Sequence, residues 1–545
     1  MIQAVASSAT ARISDRVPII GLLIDHQPIA LPVLGPFLDR YGQQVSDWRI
    51  GIRAIEDDAE TLNREVGTIV EMMDPYVPGA IVGVLWAMDR PFEPGTSSES
   101  MRLQVQDDPS FPDQAMSDLV DQWVQSHDTA DGLGAKEPKN HLSVIHHAYT
   151  QNQRGGSSQE SVWSRVGWLG RRAISSWWAG KYLSPETEGF EVVLSDPWTI
   201  EPGRRGRVMP GPELLVWRTL VEHLGGRSAI EELDVQPGVR MLLCSGRDDN
   251  LESSDGAMIV WLDEPNLDAS MIELPLSMGG VDVVDLFGNV QEVGLSYETE
   301  LGLPMHKISV SRTPVIITGV NAELVQFLSN IRLTPDRFEA TSGRHQHELV
   351  ISNPWPFSIR GKVYIVEPGG YSVPGGANVD RSWEIKPRVV NFTVTAGLEE
   401  RVPLDVSYSS AQLAGMKDLV FDVELMADKD YGLMRVAREI ELGTDLINVD
   451  LTYRWADESE GSSIQGRKII VEALVTNRTG ENIFVELVAI APKNARQEST
   501  ISSIDPLLGG RRSFIFSGLD LGQEVIISVR VPGHSLQINK TIAMP

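Results

Sequence analysis

The sequence predicts an α/β region followed by all-β domains. Two patterns, one in each part of the chain, support this prediction. Over the first 225 residues, short apolar runs alternate with stretches of helical periodicity, a pattern typical of parallel strands joined by crossover helices. After residue 226, strand-like runs follow one another directly through Gly, Pro, Asn and Asp turns, as they do in antiparallel sheets and sandwiches. The 545 residues are enough for three or four domains of ordinary size.

Six strands are predicted in the first region, most of them followed by a segment whose apolar residues recur at helical spacing. An Asp cap, a leading proline or a closing glycine marks the ends of several of these helices. No glycine-rich phosphate loop follows any of the strands, which argues against a nucleotide-binding doubly wound sheet. The predicted strands are 17–26, 47–51, 79–88, 101–106, 141–149 and 189–198, and the predicted helices are 32–45, 58–76, 112–126, 161–180 and 211–226.

Four domains follow from this pattern. The strand–helix region occupies residues 1–225, and the β-rich remainder divides into 226–335, 336–445 and 446–545. Each of the last two segments is about 100 residues long and holds many short strands, as a β-sandwich does.

The charge balance excludes some classes of partner. The chain has 47 basic and 75 acidic residues and a net charge of −28, so it lacks the basic footprint that nucleic acid requires. No run approaches the ~20 apolar residues of a membrane span. The first 20 residues do not have the pattern of a signal peptide. We therefore expect a cytoplasmic protein, or an extracellular or periplasmic one if the natural chain begins further upstream.

Neither a cofactor nor a metal is predicted. Cys244 is the single cysteine, which excludes an internal disulfide and favours a small core residue. His146 and His147 are adjacent on a predicted strand and therefore point to opposite faces. His345 and His347 would share one strand face, but a polar loop entering a strand is the preferred interpretation of this segment.

Several segments resemble clan A glycoside hydrolases. "FLDRYGQQVSDWRIG" (37–51) is similar to the region of the fourth barrel strand, and "LSDPW" (194–198) is similar to the end of the eighth. "PGPELLVWRTLVEHLGG" (210–226), with "VDVVDLFGNVQEV" and "ISVSRTPVIITG" after it, resembles the last barrel helix and the β-domain that follows. The resemblance covers residues 17–320 or so. The two C-terminal sandwiches more weakly resemble accessory modules of large bacterial carbohydrate-active proteins.

The resemblance implies an incomplete (β/α)8 TIM-type barrel of about six βα units, followed by three β-sandwich-like domains. The first two barrel strands would be absent, so an upstream polypeptide or an oligomer partner is expected to complete the barrel. The expected ligand is a carbohydrate.

Both catalytic carboxylates of that family are substituted in this sequence. The position after the fourth strand that matches the acid/base has Arg53, and a guanidinium has no transferable proton near neutrality. The segment after the seventh strand contains His147 and Tyr149 but no glutamate. The resemblance therefore implies a glycoside hydrolase-like protein that is truncated or catalytically degenerate.

Other side chains at strand ends are the remaining candidates for a site, because barrel sites form at the carboxyl ends of strands. Carboxylates could supply catalysis, and aromatic rings stack on sugars. The candidate catalytic residues are Asp25, Asp89 and Asp196, and the candidate substrate-binding residues are Arg53, Trp86, His147, Tyr149 and Trp198.

Two alternative functions remain open. One is a non-catalytic multidomain β-sandwich protein for adhesion or assembly. The other is an active hydrolase with relocated carboxylates, which would need two carboxyl groups about 5–9.5 Å apart beside an aromatic-lined groove.

Overall fold

The computed structural model contains two compact units. One includes the chain up to Gly294 together with His306–Ala322, and the other includes Leu295–Met305 and Glu323–Pro545. The structure describes residues 23–24, 27–45, 47–50, 59–92, 101–107, 111, 114–128, 141–147, 162–183, 190–195, 197–200, 208–234, 236, 238–247, 255–264, 269–297, 304–341, 343–366, 383–455, 468–519 and 522–543.

The described residues of the first unit include five parallel strands whose order in the sheet is their order in the chain. Five of the six predicted strands correspond to them. In the remaining one, 17–26, Leu23 and Ile24 are helical, so a strand across this stretch was the wrong prediction; its other residues lie outside the described ones. The elements are α1 (Gln27–Tyr41), β1 (Asp47–Ile50), α2 (Ala59–Met73), β2 (Ile81–Trp86), β3 (Met101–Gln106), α3 (Gln114–Asp128), β4 (His141–His147), α4 (Val162–Leu183) and β5 (Phe190–Ser195).

Alternation along the strands separates the two faces of this sheet. Met101, Leu103 and Val105 of β3 are buried in one cluster with apolar residues of α2 and α3, whereas Arg102 and Gln104 are only half-buried. The helices therefore cover one face, and the polar positions of β3 lie on the other.

The rest of the first unit is antiparallel. Strands β8–β10, β12, β13 and β16 form a six-stranded sheet, and β11 pairs separately with β15. The elements are β6 (Trp198–Ile200), β7 (Val208–Pro210), α5 (Pro212–Leu224), β8 (Ala229–Leu233), β9 (Val239–Cys244), β10 (Gly256–Leu262), β11 (Ala269–Leu274), β12 (Val281–Val284), β13 (Val290–Val293), β15 (Met305–Ser311) and β16 (Val315–Val320), with the short β14 (Leu295–Ser296) assigned to the second unit.

Helix α4 joins the two sheets of the first unit. Ala179 packs into the core of the parallel sheet, and Ile174 and Trp178 pack with α5 and the six-stranded sheet. Gly170 permits a close approach on the second side, because a Cβ there would lie 2.5 Å from a methyl carbon of Leu286. A helix with two buried faces explains why its apolar residues are not confined to one stripe.

In its described residues, the second unit contains one helix and two β-sandwiches. The first sandwich packs the sheet β17-β19-β23-β21 on the sheet β18-β25-β24-β20-β22, and the second packs β26-β27-β30 on β29-β28-β31-β32. The elements are α6 (Ala322–Ser329), β17 (Arg332–Thr334), β18 (Arg337–Glu339), β19 (His345–Ser352), β20 (Ile359–Val366), β21 (Trp383–Lys386), β22 (Val389–Val394), β23 (Glu399–Tyr408), β24 (Gly415–Met426), β25 (Asp430–Gly443), β26 (Ile447–Trp455), β27 (Lys468–Asn477), β28 (Ile483–Ile490), β29 (Gln497–Ile504), β30 (Gly509–Ser517), β31 (Glu524–Val531), a 3-10 turn (Pro532–His534) and β32 (Leu536–Ala543).

The two sandwiches repeat one topology. If β19 is matched to β27, then β20, β22, β23, β24 and β25 match β28 to β32 in order, and the sheet neighbours agree at each step. The structure thus confirms the prediction of successive all-β modules, and it adds that the last two are copies of the same arrangement.

A buried asparagine holds the same corner of each sandwich. The Asn353 amide donates to the carbonyls of Phe357 and Val394, at 2.8 and 2.9 Å, and accepts from the Trp355 N–H at 2.9 Å. Its main chain also pairs with the turn before β23, where Gly397 has a φ of +67°.

Asn477 makes the equivalent bonds in the second sandwich. Its amide donates to the carbonyls of Glu481 and Ile504, at 2.7 and 2.8 Å, and accepts from the N–H and hydroxyl of Thr479. Leu507 stands where the first sandwich has the left-handed glycine and adopts the same conformation, with a φ of 62°. A leucine is strained there, so the turn geometry is imposed by the corner rather than by the residue.

We predict that Asn477→Ala lowers the free energy of unfolding of the second unit by about 2–3 kcal/mol, because it leaves several buried donors and acceptors without partners. Urea unfolding followed by hydrogen exchange of peptides from β27 to β30 measures the loss. Asn353→Ala should produce a matching loss in β19 to β23. The exposed Asn391 supplies the control, and Asn391→Ala should change stability by no more than about 0.5 kcal/mol. Equal stability of the Asn477 and Asn391 variants would contradict the assigned role.

Candidate functional site

Four polar side chains meet beside the carboxyl ends of β3 and β4. Asp107 follows β3 directly, His146 lies near the end of β4, and Arg172 and Ser176 are one turn apart on α4. Their exposed fractions range from 0% to 5%, so water does not reach them. We call these four residues the strand-end cluster.

The Asp107 carboxylate is the centre of the strand-end cluster. Arg172 Nε lies 2.7 Å from one carboxylate oxygen and 2.8 Å from the other, and Arg172 Nη2 also donates to the carboxylate. His146 Nδ1 lies 2.7 Å from Oδ2. A carboxylate can only accept here, so Nδ1 carries a proton. Arg172 Nη1 donates to the Phe111 carbonyl, and the guanidinium group lies over the Trp168 ring.

Burial and charge act in opposite directions on Asp107. Burial alone raises the pKa of the carboxyl group, but the hydrogen bonds and positive charge supplied by His146 and Arg172 outweigh it. The net effect is a pKa below the ordinary value of 3.8, so the carboxylate stays ionised in the folded protein.

The strand-end cluster has the connectivity of a catalytic triad without its accessibility. A hydroxyl, an imidazole and a carboxylate follow one another, with His146 Nε2 3.2 Å from Ser176 Oγ. However, Ser176 is fully buried inside a helix and its hydroxyl donates to the Arg172 carbonyl at 2.8 Å. Arg172 also neutralises the carboxylate that would stabilise an imidazolium. The cluster therefore ties α4 to the sheet and cannot reach a substrate in this conformation.

A second charged group lies on the face of the parallel sheet opposite the helices. Arg102 Nη1 lies 2.9 Å from Asp47 Oδ2 in β1 and 2.6 Å from Glu191 Oε1 in β5. The Ser143 hydroxyl on β4 donates to the same Glu191 oxygen at 2.5 Å. On β2, the strand between β1 and β3, Gly83 leaves room for the Gln104 side chain, because a Cβ there would collide with Gln104 Nε2.

This contact shows that the sheet is strongly curved. Strands β1 and β5 are four places apart, which in a flat sheet corresponds to about 19 Å. Yet Asp47 and Glu191 both bind a single nitrogen atom of Arg102. The sheet therefore curls around the face opposite the helices. Both carboxylates lie at the amino-terminal ends of their strands, the end of a parallel barrel associated with stability rather than with catalysis.

The structure describes four of the eight candidate site residues predicted from sequence. Asp25, Arg53, Tyr149 and Asp196 lie outside the described residues. Asp89 is exposed in the turn after β2. His147 is the last residue of β4, where its main chain pairs with Ser195.

The two candidate tryptophans differ in exposure. Trp86 is only 1% exposed: its indole N–H donates to the Arg90 carbonyl at 3.1 Å, and its ring stacks on Phe92. It does not present a ring face to solvent, which corrects the expectation of a sugar-stacking platform at this position. Trp198, in β6, is 53% exposed and keeps a face available.

The histidine pair of the first sandwich is a packing feature. His345 and His347 share a strand face, as predicted: His347 stacks on Phe338 at 4.0 Å and His345 stacks on Tyr408 at 5.2 Å. His347 Nδ1 is 2.7 Å from the Pro335 carbonyl. Burial lowers the pKa of His347, and the hydrogen bond only partly compensates. Within the described residues, no group of three potential metal ligands occurs.

Cys244 is fully buried in the core between α4 and the six-stranded sheet, which confirms its prediction as a core residue. Burial raises the pKa of its thiol to about 12, so it is unreactive. None of the helices in the described parts of the chain is long and apolar enough to cross a membrane.

Sequence reasoning did not identify the strand-end cluster. The sequence does place Asp107 and His146 at the ends of predicted strands. The missing signal was on α4, where Arg172 and Ser176 follow Trp168 at intervals of four, so that all three occupy one helix face. A cation on a face that also carries a tryptophan indicates a buried partner rather than a solvent-exposed position.

Comparisons with known proteins do not identify a family. No family model matches the sequence, and no curated protein matches it. Among solved structures, red sea bream transglutaminase is 10% identical over 39% of this chain and 31% of its own, with a TM-score of 0.18. The Pseudomonas aeruginosa CupB2 chaperone is 12% identical over 38% of this chain and 96% of its own, with a TM-score of 0.16. Bacteroides uniformis β-glucuronidase is 11% identical over 37% of this chain and 26% of its own, with a TM-score of 0.15.

We predict that Asp107→Asn destabilises the first unit by about 3–5 kcal/mol at neutral pH, because it leaves the buried Arg172 without its counterion. The folded-state pKa of Asp107 is lowered, so its stabilisation is complete above 3.8 and is lost as the pH falls from there through the folded-state value. The stability difference between wild type and variant should shrink over that acidic range.

Urea unfolding followed by hydrogen exchange of peptides from α4 measures this difference. Asp89→Asn is the matched control, since Asp89 is an exposed aspartate of the same unit. A variant as stable as this control at neutral pH, or a difference that does not shrink in acid, would contradict the role of the strand-end cluster.

Proposed function

We propose that this chain is a carbohydrate-handling protein built on a glycoside hydrolase-like scaffold, and that it does not itself cleave glycosidic bonds. The strand-end cluster is the observation that supports the absence of cleavage. Asp107, the carboxylate that immediately follows a parallel strand, is buried and bound by Arg172 and His146. Retaining or inverting cleavage needs two carboxyl groups facing a substrate, and this one faces a helix.

The parallel sheet supports the scaffold part of the proposal. Its strands follow one another in chain order, and it curls about the face opposite its helices, as the wall of a (β/α)8 barrel does. We propose that the first region is a partial barrel of this kind, completed by an upstream polypeptide or by a partner chain. The exposed Trp198 gives the region an aromatic surface of the sort on which sugar rings stack.

A second candidate function, assembly or adhesion without a sugar ligand, is favoured by the joint between the two sandwiches. The Asn539 amide of β32 donates to the carbonyls of Ser410 and Gln412 at 2.7 and 2.9 Å, and the Asn539 carbonyl accepts from the Ala414 N–H at 2.8 Å. Side-chain and main-chain bonds across a joint fix the angle between modules, a property suited to a rigid spacer.

We predict that the intact protein shows no turnover on a panel of aryl glycosides and binds neutral glycans on an array. Trp198→Ala should abolish or strongly weaken that binding, because it removes the exposed ring face. Trp163→Ala is the matched control, since Trp163 is 56% exposed, and it should bind as the wild type does.

The outcomes separate the candidates. Turnover of any aryl glycoside would contradict the non-catalytic assignment, and its loss in Asp89→Asn would support an active hydrolase with a relocated carboxylate. Absence of binding to every neutral and acidic glycan on the array would remove the carbohydrate ligand and leave assembly as the function.

A further inference from the structure

Among the described residues, the first sandwich has two edge strands without a counterpart in the second, β18 beside β25 and β21 beside β23. In the first, β21 pairs with the outer edge of β23, with Glu384 opposite Ser407 and Lys386 opposite Asp405. In the second, β30 corresponds to β23 and pairs with β27 on its inner side. Among the residues that the structure describes, no strand pairs with the outer edge of β30.

Two side-chain amides occupy this outer edge. Gln497 Nε2 donates to the Ile515 carbonyl at 2.6 Å, and Gln497 Oε1 accepts from the Ile515 N–H at 3.3 Å. Asn494 Nδ2 donates to the Ser517 carbonyl at 3.1 Å, and Asn494 Oδ1 accepts from the Ser517 N–H at 3.2 Å. Each amide therefore reproduces the paired donor and acceptor that a neighbouring strand presents.

The amides of the second sandwich come from the part of the chain that corresponds to β21 and the start of β22 in the first. In the first sandwich the segment just before β22 forms β21. In the second, Asn494 comes from the segment just before β29, and Gln497 is the first residue of β29. Ile515 and Ser517 occupy the positions of Asp405 and Ser407, the residues that β21 pairs with. The main-chain groups that receive a strand in the first sandwich are thus occupied by side-chain amides in the second.

We propose that the outer edge of β30 is a strand-pairing surface for a second copy of this chain, and that the amides of Asn494 and Gln497 hold it closed. An exposed strand edge pairs readily with another edge, and two identical edges can pair antiparallel about a two-fold axis. Because Ile515 and Ser517 direct their main-chain groups outward, alternation directs those of Ser513 outward as well.

The sequence of β30 fits pairing with itself. In a register centred on Ser513, the two copies of Ser513 exchange hydrogen bonds, Arg511 stands opposite Ile515, and Arg512 stands opposite Phe514. No arginine then faces another directly, so the repulsion between like charges that guards many edges is reduced. This inference does not depend on the proposed function.

The test is the double variant Asn494→Ala with Gln497→Ala in the full chain, compared with wild type by sedimentation velocity over a series of concentrations. The sedimenting mass of the variant should rise to about twice that of wild type as concentration increases, the result for a two-fold pair. The Ile515 and Ser517 amide protons, protected from exchange in the wild type, should exchange rapidly in the variant at low concentration.

Two further variants make the result specific. Adding Ser513→Pro to the double variant removes an outward N–H without touching the bonds to β27, and it should restore the sedimentation of the wild type. Gln346→Ala with Asn391→Ala removes two exposed amides from the first sandwich and should leave sedimentation unchanged. Sedimentation of the Asn494/Gln497 variant like wild type at every concentration, or association that survives Ser513→Pro, would overturn the proposal.

Discussion

An ionised carboxylate taken out of water is tolerated only where positive charge and hydrogen bonds replace its hydration, and Asp107 is such a group. Arg172 and His146 supply that replacement, and in doing so they connect β3, β4 and α4. The rest of the first unit depends on this contact, because α4 also packs against the six-stranded antiparallel sheet. One buried ionic contact thus fixes the helix that both sheets share.

The same contact governs what the sheet can do chemically. A carboxylate held by a guanidinium with two parallel bonds is a poor proton acceptor, and a serine without exposure cannot attack a substrate. On the opposite face, Arg102 holds Asp47 and Glu191 together at the amino-terminal ends of the strands. The charged groups of this sheet are therefore arranged in contacts that stabilise its curvature and the docking of α4.

The local sequence pattern predicted most of the helices and strands but few of the side-chain contacts that hold them together. Strand β3 was predicted with its observed bounds because Met101, Leu103 and Val105 alternate with polar residues. The apolar run at 17–26 was predicted as a strand, although Leu23 and Ile24 are helical, since a short continuous apolar run has no period that distinguishes the two states.

Long-range partners could not be predicted from spacing. Asp107 and Arg172 are 65 residues apart, and only the register of the sheet and the docking of α4 bring them together. Asn353 directly follows an alternating strand and Asn477 ends another, but their amides reach carbonyls 41 and 27 residues onward. The role of the Asn494 and Gln497 amides also depends on a contact with a strand that is not their sequence neighbour, so the local pattern could not reveal it.

The central claim is that the strand-end cluster is sealed and structural, and the reactivity of His146 tests it most directly. Carbethoxylation of the folded protein, followed residue by residue by mass spectrometry, compares it with His534, which is exposed in the 3-10 turn before β32. The account predicts that His534 reacts promptly and that His146 reacts only as fast as the first unit opens. Reaction of His146 at the rate of His534 would show that substrate-sized molecules reach the cluster and would contradict the account.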